Sequence, residues 1–194
     1  MKKHILLPII ACLLLATSCT EETLDQSVFV PDVNNPGLPA YSEWGYNTFG
    51  AYIDRSVFVS NNQDLPAKII VSADTFNLRL AGEWRGNPTT LKISIKGYVP
   101  NDYTGLVSLN DSTVNLASDA CVVTLYENNV PLRLNVFEGQ IHFKRVQKLF
   151  VDKEMTETIL SGTFNFKTFY HNEPIAISKG RFDLGIGYDN FYKL

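Results

Sequence analysis

The sequence of 194 residues is poor in the groups that most often carry chemistry: it has three cysteines and three histidines. Cys12 and Cys19 lie among the first nineteen residues, so beyond them only Cys121 remains and no intrachain disulfide can form there. Past the same point the histidines are His142 and His171. There is no His-x-x-x-His, no Cys pair and no Asp-rich calcium loop, so neither a metal site nor a cofactor is expected. A G-x-S-x-G nucleophile turn is also missing. No stretch of ten residues shows a helical period, and no segment approaches the ~20 apolar residues of a membrane-spanning helix. Positive charge is scarce. Seventeen Lys and Arg face 20 Asp and Glu, and two of the seventeen, Lys2 and Lys3, stand at the extreme N-terminus. A net acidic chain without a basic cluster disfavours nucleic acid and anionic headgroups as partners. No Lys or Arg occurs between Cys19 and Arg55. A basic-specific maturation protease therefore finds no cut site there, which counts against a fimbrial subunit.

What the sequence does have begins at its first residue. Lys2 and Lys3 precede a short apolar run, Ile5 to Leu15, and the small residues Ala16-Thr17-Ser18 stand directly before Cys19. This is the pattern of a lipoprotein signal peptide over residues 1–18, with Cys19 acylated (palmitate is a common chain) and left as the mature N-terminus. Ordinary cleavage after Ser18 fits the same small residues. Two or more acyl chains, at about 0.8 kcal/mol per buried CH₂, suffice for stable anchoring. Membrane lipid is thus the expected partner of Cys19, and the resemblance given below implies that it is outer-membrane lipid. Residues 19–40 read as a flexible tether, with Pro31, Pro36, Pro39 and the turn-prone Asn34-Asn35.

From Tyr41 to Leu194 the pattern becomes that of one all-β domain. Phe49, Ala51 and Ile53 share a strand face, and a three-residue loop Asp54-Arg55-Ser56 would place Val57 and Val59 on that face too; one long uninterrupted strand has the same parity. Strands follow at Lys68 to Ser72, Phe76 to Gly82 and Leu91 to Val99, with Gly86-Asn87-Pro88 marking the turn between the last two. Asn128-Asn129 as a type I′ turn pairs Leu125 with Leu132, Val123 with Leu134 and Cys121 with Val136. Gly139-Gln140 as a type II′ turn pairs Val136 with Phe143, so all seven side chains share one face and Cys121 is a core residue. Further on, His171-Asn172 as a loop pairs Phe166 with Ile177. The inward positions are odd at Ile175 and Ile177 but even at Phe182, Leu184 and Ile186. One extra residue near Ser178-Lys179-Gly180, a β-bulge with Gly180 free to turn left-handed, reconciles them. The expected fold is an antiparallel β-sandwich or partly open barrel of about 9–11 strands.

Three pieces resemble a family of uncharacterised Bacteroidota surface lipoproteins. They are Asn47 to Asp54, Val114 to Ala117, and Ser161 to Phe166 together with Gly180 to Asp183; the likeness covers most of residues 45–187. Arg55 stands where the family usually has Gly. The resemblance implies the fold and the address and carries no catalytic residue. Thr20-Glu21-Glu22, directly after Cys19, likewise resembles the acidic surface-export signal of Bacteroidota outer-membrane lipoproteins, which implies display on the cell surface. A solvated acidic linker on the periplasmic face is the alternative.

The functional expectation is a non-catalytic interaction or scaffold module with an unidentified protein partner. A glycan- or small-ligand-binding module is the alternative, and an enzyme acting on extracellular glycans a further one. Asp102, Asp111, Asp119 and Glu127 lie in or near loops, but the sequence does not bring them together, and no catalytic residue is assigned. For glycan, the candidate aromatics are Trp84, beside Arg85-Gly86-Asn87, and Tyr98 and Tyr103, which flank Pro100-Asn101-Asp102, because a flat ring can meet the C–H face of a sugar. Lys144, Arg145 and Lys148 read as a protected strand edge. Asp111-Ser112-Thr113 resembles the short O-glycosylation motif of exported proteins of that phylum, with Ser112 as the acceptor.

Overall fold

A computed structural model describes residues 27–60 and 65–194. The leader, Cys19 and Thr20-Glu21-Glu22 lie outside the described residues. Among the described residues eleven strands follow one another: β1 (Thr48–Ile53), β2 (Ser56–Val59), β3 (Ala67–Ser72), β4 (Thr75–Trp84), β5 (Asn87–Lys96), β6 (Ser112–Asn115), β7 (Cys121–Glu127), β8 (Val130–Val151), β9 (Glu154–Tyr170), β10 (Glu173–Ile186) and β11 (Phe191–Lys193). A 3-10 helix, Tyr103–Leu109, is capped by the Asp102 carboxylate. The fold is all-β, as expected.

All strands belong to one sheet, antiparallel except where β11 lies parallel to β3. Partners can be followed from β1 through β10, β9, β8, β7 and β5 to β4, and from β4 back to β1 through β2. The return is slender, resting on the pairs Phe58↔Trp84 and Val59↔Glu83. The sheet thus curls into a ring without forming a regular barrel. Its interior is filled by Phe49, Phe58, Phe76, Phe143, Phe164, Phe166 and Phe182 with the aliphatic residues around them. Four hairpins turn on two residues that both have positive φ, at Arg85-Gly86, Asn128-Asn129, Asp152-Lys153 and His171-Asn172. Such turns match the right-handed twist of the strands they join.

Several registers agree with the sequence reading. Leu125 pairs with Leu132, Val123 with Leu134, and Phe166 with Ile177. The bulge between Ile177 and Gly180 is present, but the left-handed residue is Lys179, at φ 54°, rather than Gly180.

Two turns differ. Asp54-Arg55 is a two-residue connection, pairing Ala51 with Phe58 and Tyr52 with Val57. Phe58 therefore points inward in place of Val57 and Val59; it is fully buried against Phe49, and the two valines are only partly buried on the other face. Nor is Gly139-Gln140 a turn. β8 runs straight through it, leaving β7 after Leu134 and continuing beside β9, with a bulge at Phe137 between the pairs Val136↔Thr168 and Glu138↔Lys167. A Cβ on Gly139 would stand 2.3 Å from that of Phe166, so the glycine serves close strand approach rather than reversal. Cys121 pairs with Ile95 instead of Val136, yet remains buried.

The expected tether also loses its second half. Asp32 accepts from the Asn34 backbone N–H and the Asn35 side chain, a local turn that brings Pro31 opposite Pro39 and buries Leu38 completely. Arg181 on β10 pairs with Asp32 and reaches the Pro39 carbonyl at 3.3 Å. The prolines that suggest a linker brace a packed arm.

Candidate functional site

The three aromatics singled out from sequence do not form a platform. Trp84 is 3 % exposed, edge-on to Tyr170 at 5.5 Å between centroids and covered by the Arg85 guanidinium at 4.5 Å. Tyr98 lies edge-on to Phe76, and its hydroxyl is engaged by Ser108 at 2.9 Å and the Gly105 carbonyl at 3.2 Å; burial raises its pKa. Tyr103 begins the 3-10 helix, half-buried against the core, and its carbonyl accepts from Thr158. The length of β4 puts about 30 Å between Trp84 at one end of the strand and Tyr98 beyond the other. A ring next to Arg-Gly-Asn looks exposed in sequence, but the inward face of β4 claims it.

Ser112 is also placed against its assigned role. Ser112 and Val114 alternate inward on β6 while Thr113 and Asn115 face out, and the Ser112 hydroxyl is shielded from solvent. Attachment of a sugar there would need that hydroxyl to turn out to solvent. His142 lies 3.4 Å from Asp111, and His171 packs edge-on against Tyr170 in its turn. Among the described residues, no group of three or more His, Cys, Asp or Glu gathers as metal ligands, and no helix is long and apolar enough to cross a membrane.

The carboxylates divide in the same way. Asp183, on β10, is buried and accepts from the backbone N–H groups of Trp44, Gly45 and Tyr46 at 2.9–3.1 Å, from Ser161 at 2.7 Å and from Ser42. Its oxygens are consumed in fastening residues 42–46 to the sheet. Glu127 accepts from the Tyr170 hydroxyl at 2.6 Å; burial first, then that carboxylate, pushes the phenol up to about 12. These are structural pairs.

An open cleft lies elsewhere, on the outer side of β6, β8 and β9. The registers Asn115↔Gln140 and Gln140↔Asn165 align three side-chain amides in one row across three strands. At about 4.8 Å per strand the row spans roughly 10 Å. The bulge on β8 turns Phe137 out beside it, and Phe169 on β9 meets that ring with centroids 5.3 Å apart, the planes inclined at 45°. Both rings are nearly half exposed, at 49 % and 44 %. Glu138 and Lys167 form an ion pair of 2.8 Å in the adjacent register. Thr113, Asn115, Phe137, Glu138, Gln140 and Asn165 line a cleft of ≈ 550 Å³. A neighbouring wedge of ≈ 380 Å³ opens where β7 and β8 part, with Arg133 and Asp119 at its sides and Cys121 in its wall; Ala117 borders both.

Sequence reasoning missed this surface because a turn at Gly139-Gln140 breaks β8 in two and removes the row. One signal was available. The outward residues of β9, Thr163, Asn165 and Lys167, end in Phe169, an aromatic on the water side of an otherwise strict alternation.

No family model matches the chain, and neither a curated protein nor a solved structure matches it.

Proposed function

We propose that the chain is a lipid-anchored outer-membrane protein displayed at the cell surface, acting as a non-catalytic recognition module. The leader pattern ending at Cys19 and the acidic Thr20-Glu21-Glu22 support the address. The observation that carries the recognition role is the composition of the open cleft: neutral amides and the exposed ring of Phe137, with the one carboxylate, Glu138, held in an ion pair by Lys167. Such groups fix and orient a bound partner without exchanging protons with it. The buried carboxylate of Asp183 is already saturated by internal donors.

Two measurements test this reading. Detergent phase partition of the native protein is expected to place it in the detergent phase, and Cys19→Ser to move it to water. An unmodified Cys19 in the intact mass would overturn the address. A photo-crosslinking amino acid at Gln140, on intact cells, is expected to form an adduct that the same group at Lys92, on β5, does not. Equal yields at the two positions, or none at Gln140, would overturn the recognition face.

A further inference from the structure

We infer that the cleft on β6, β8 and β9 takes a neutral saccharide chain. This rests on the recognition face just proposed and specifies its ligand class.

The first argument is the chemistry of the row. A side-chain amide offers two donors and an acceptor, and a sugar hydroxyl both donates and accepts, so amides match vicinal hydroxyls without introducing charge. The Asn115 side-chain oxygen is held by the Ala117 N–H at 2.9 Å, which fixes that amide and leaves its NH₂ as the donor. Gln140 and Asn165 make no side-chain hydrogen bond among the described residues, so binding need not break an internal one.

The second argument is the pair of rings. A sugar ring has an apolar C–H face and a polar hydroxyl rim. Phe137 supplies an exposed apolar ring in the cleft, and Phe169, beyond the Glu138–Lys167 register, packs against it on the same side of the sheet. This is less apolar area than the core of a protein interface needs, since two rings stand in a field of polar side chains.

The third argument is electrostatic. Glu138 and Lys167 neutralise each other at the cleft, and the chain as a whole is acidic at formal charge −3. An anionic polymer gains no unpaired cation there. A neutral one meets no repulsion. The volume of ≈ 550 Å³ lies within the range of small-ligand sites, and the row of about 10 Å spans more than one sugar residue.

The test is affinity electrophoresis of the full chain in detergent micelles, through gels containing mannan, xylan, a mixed-linkage β-glucan or alginate. Retardation by at least one neutral polymer is expected, weakened tenfold or more by Phe137→Ala and by Gln140→Ala. Phe150→Ala, at the exposed β8–β9 tip, should leave it unchanged. Matched melting temperatures establish that the variants are folded. Retardation by alginate alone, by none of the polymers, or equally in all variants would overturn the inference. The crosslinking experiment separates the two claims. A protein adduct at Gln140 without retardation removes the saccharide and keeps the recognition face; no adduct and no retardation removes both.

Discussion

Gly82 passes so close to Val59 that a Cβ on the glycine would stand 2.2 Å from the valine carbonyl oxygen. That contact lies at the seam where β2 meets β4 through two residue pairs, the place where the ring of strands returns on itself.

Gly82→Ala is therefore expected to cost about 2 kcal/mol or more, because the obstacle is backbone rather than a side chain that could swing aside. Thermal melting should show a drop of several degrees, at roughly 2–4 °C per kcal/mol for a chain of this size. An unchanged melting temperature would mean that the seam is looser than described.

Asp183→Ala removes the acceptor shared by three backbone N–H groups and two hydroxyls. Leaving even one such group buried without a partner costs about 1–3 kcal/mol, so a large loss of stability in urea is expected. Asp183→Asn keeps one acceptor oxygen and should lose less. Hydrogen exchange at Trp44, Gly45 and Tyr46 should accelerate in both variants, and ahead of the rest of the sheet.

Phe58→Ala and Val57→Ala separate the two readings of the first hairpin. With Phe58 fully buried against Phe49 at 5.0 Å, its truncation should cost about 3–5 kcal/mol. Val57→Ala should cost about 1 kcal/mol at most. The reverse order, read from denaturant midpoints, would restore the three-residue loop.

Acid sensitivity should report the packed arm. The Asn35 side chain, the Asn34 backbone N–H and Arg181 hold Asp32 at a pKa of about 2, below its ordinary 3.8. A carboxylate depressed in the folded state stabilises it above the ordinary value, and that contribution disappears as pH falls from about 4 through 2. Asp32→Asn should flatten this part of the pH–stability curve and leave the curve near neutrality without slope from this group. Urea midpoints of both proteins between pH 2 and 7 check it.

The sequence disclosed the fold wherever local signals were strong. Paired Asn at 128–129 demands a tight turn, and the alternation on either side leaves one register for Leu125 and Val123. The odd-to-even change between Ile177 and Phe182 required a bulge, and one is there. It was opaque where two local solutions compete and only tertiary packing chooses. Gly139-Gln140 is a good turn in isolation, but β8 from Asn135 to Val151 pairs along β9 instead of reversing. Val57-Phe58-Val59 suits either parity until the interior requires a ring. The candidate site suffered most, since its row exists only when β6, β8 and β9 lie side by side, and their members are 25 residues apart along the chain at each step.

The grip of Arg181 on Asp32 has a mechanical side. Traction applied to the polypeptide ahead of residue 27 reaches first the bond between the Val28 N–H and the Tyr46 carbonyl, then the paired arm from Val30 to Ala40, then Arg181 on a strand flanked on both sides by β1 and β9. Each contact is thus met in turn before the strand itself is loaded. Force entering at residue 27 would thus be carried to β10, between β1 and β9 in the middle of the sheet.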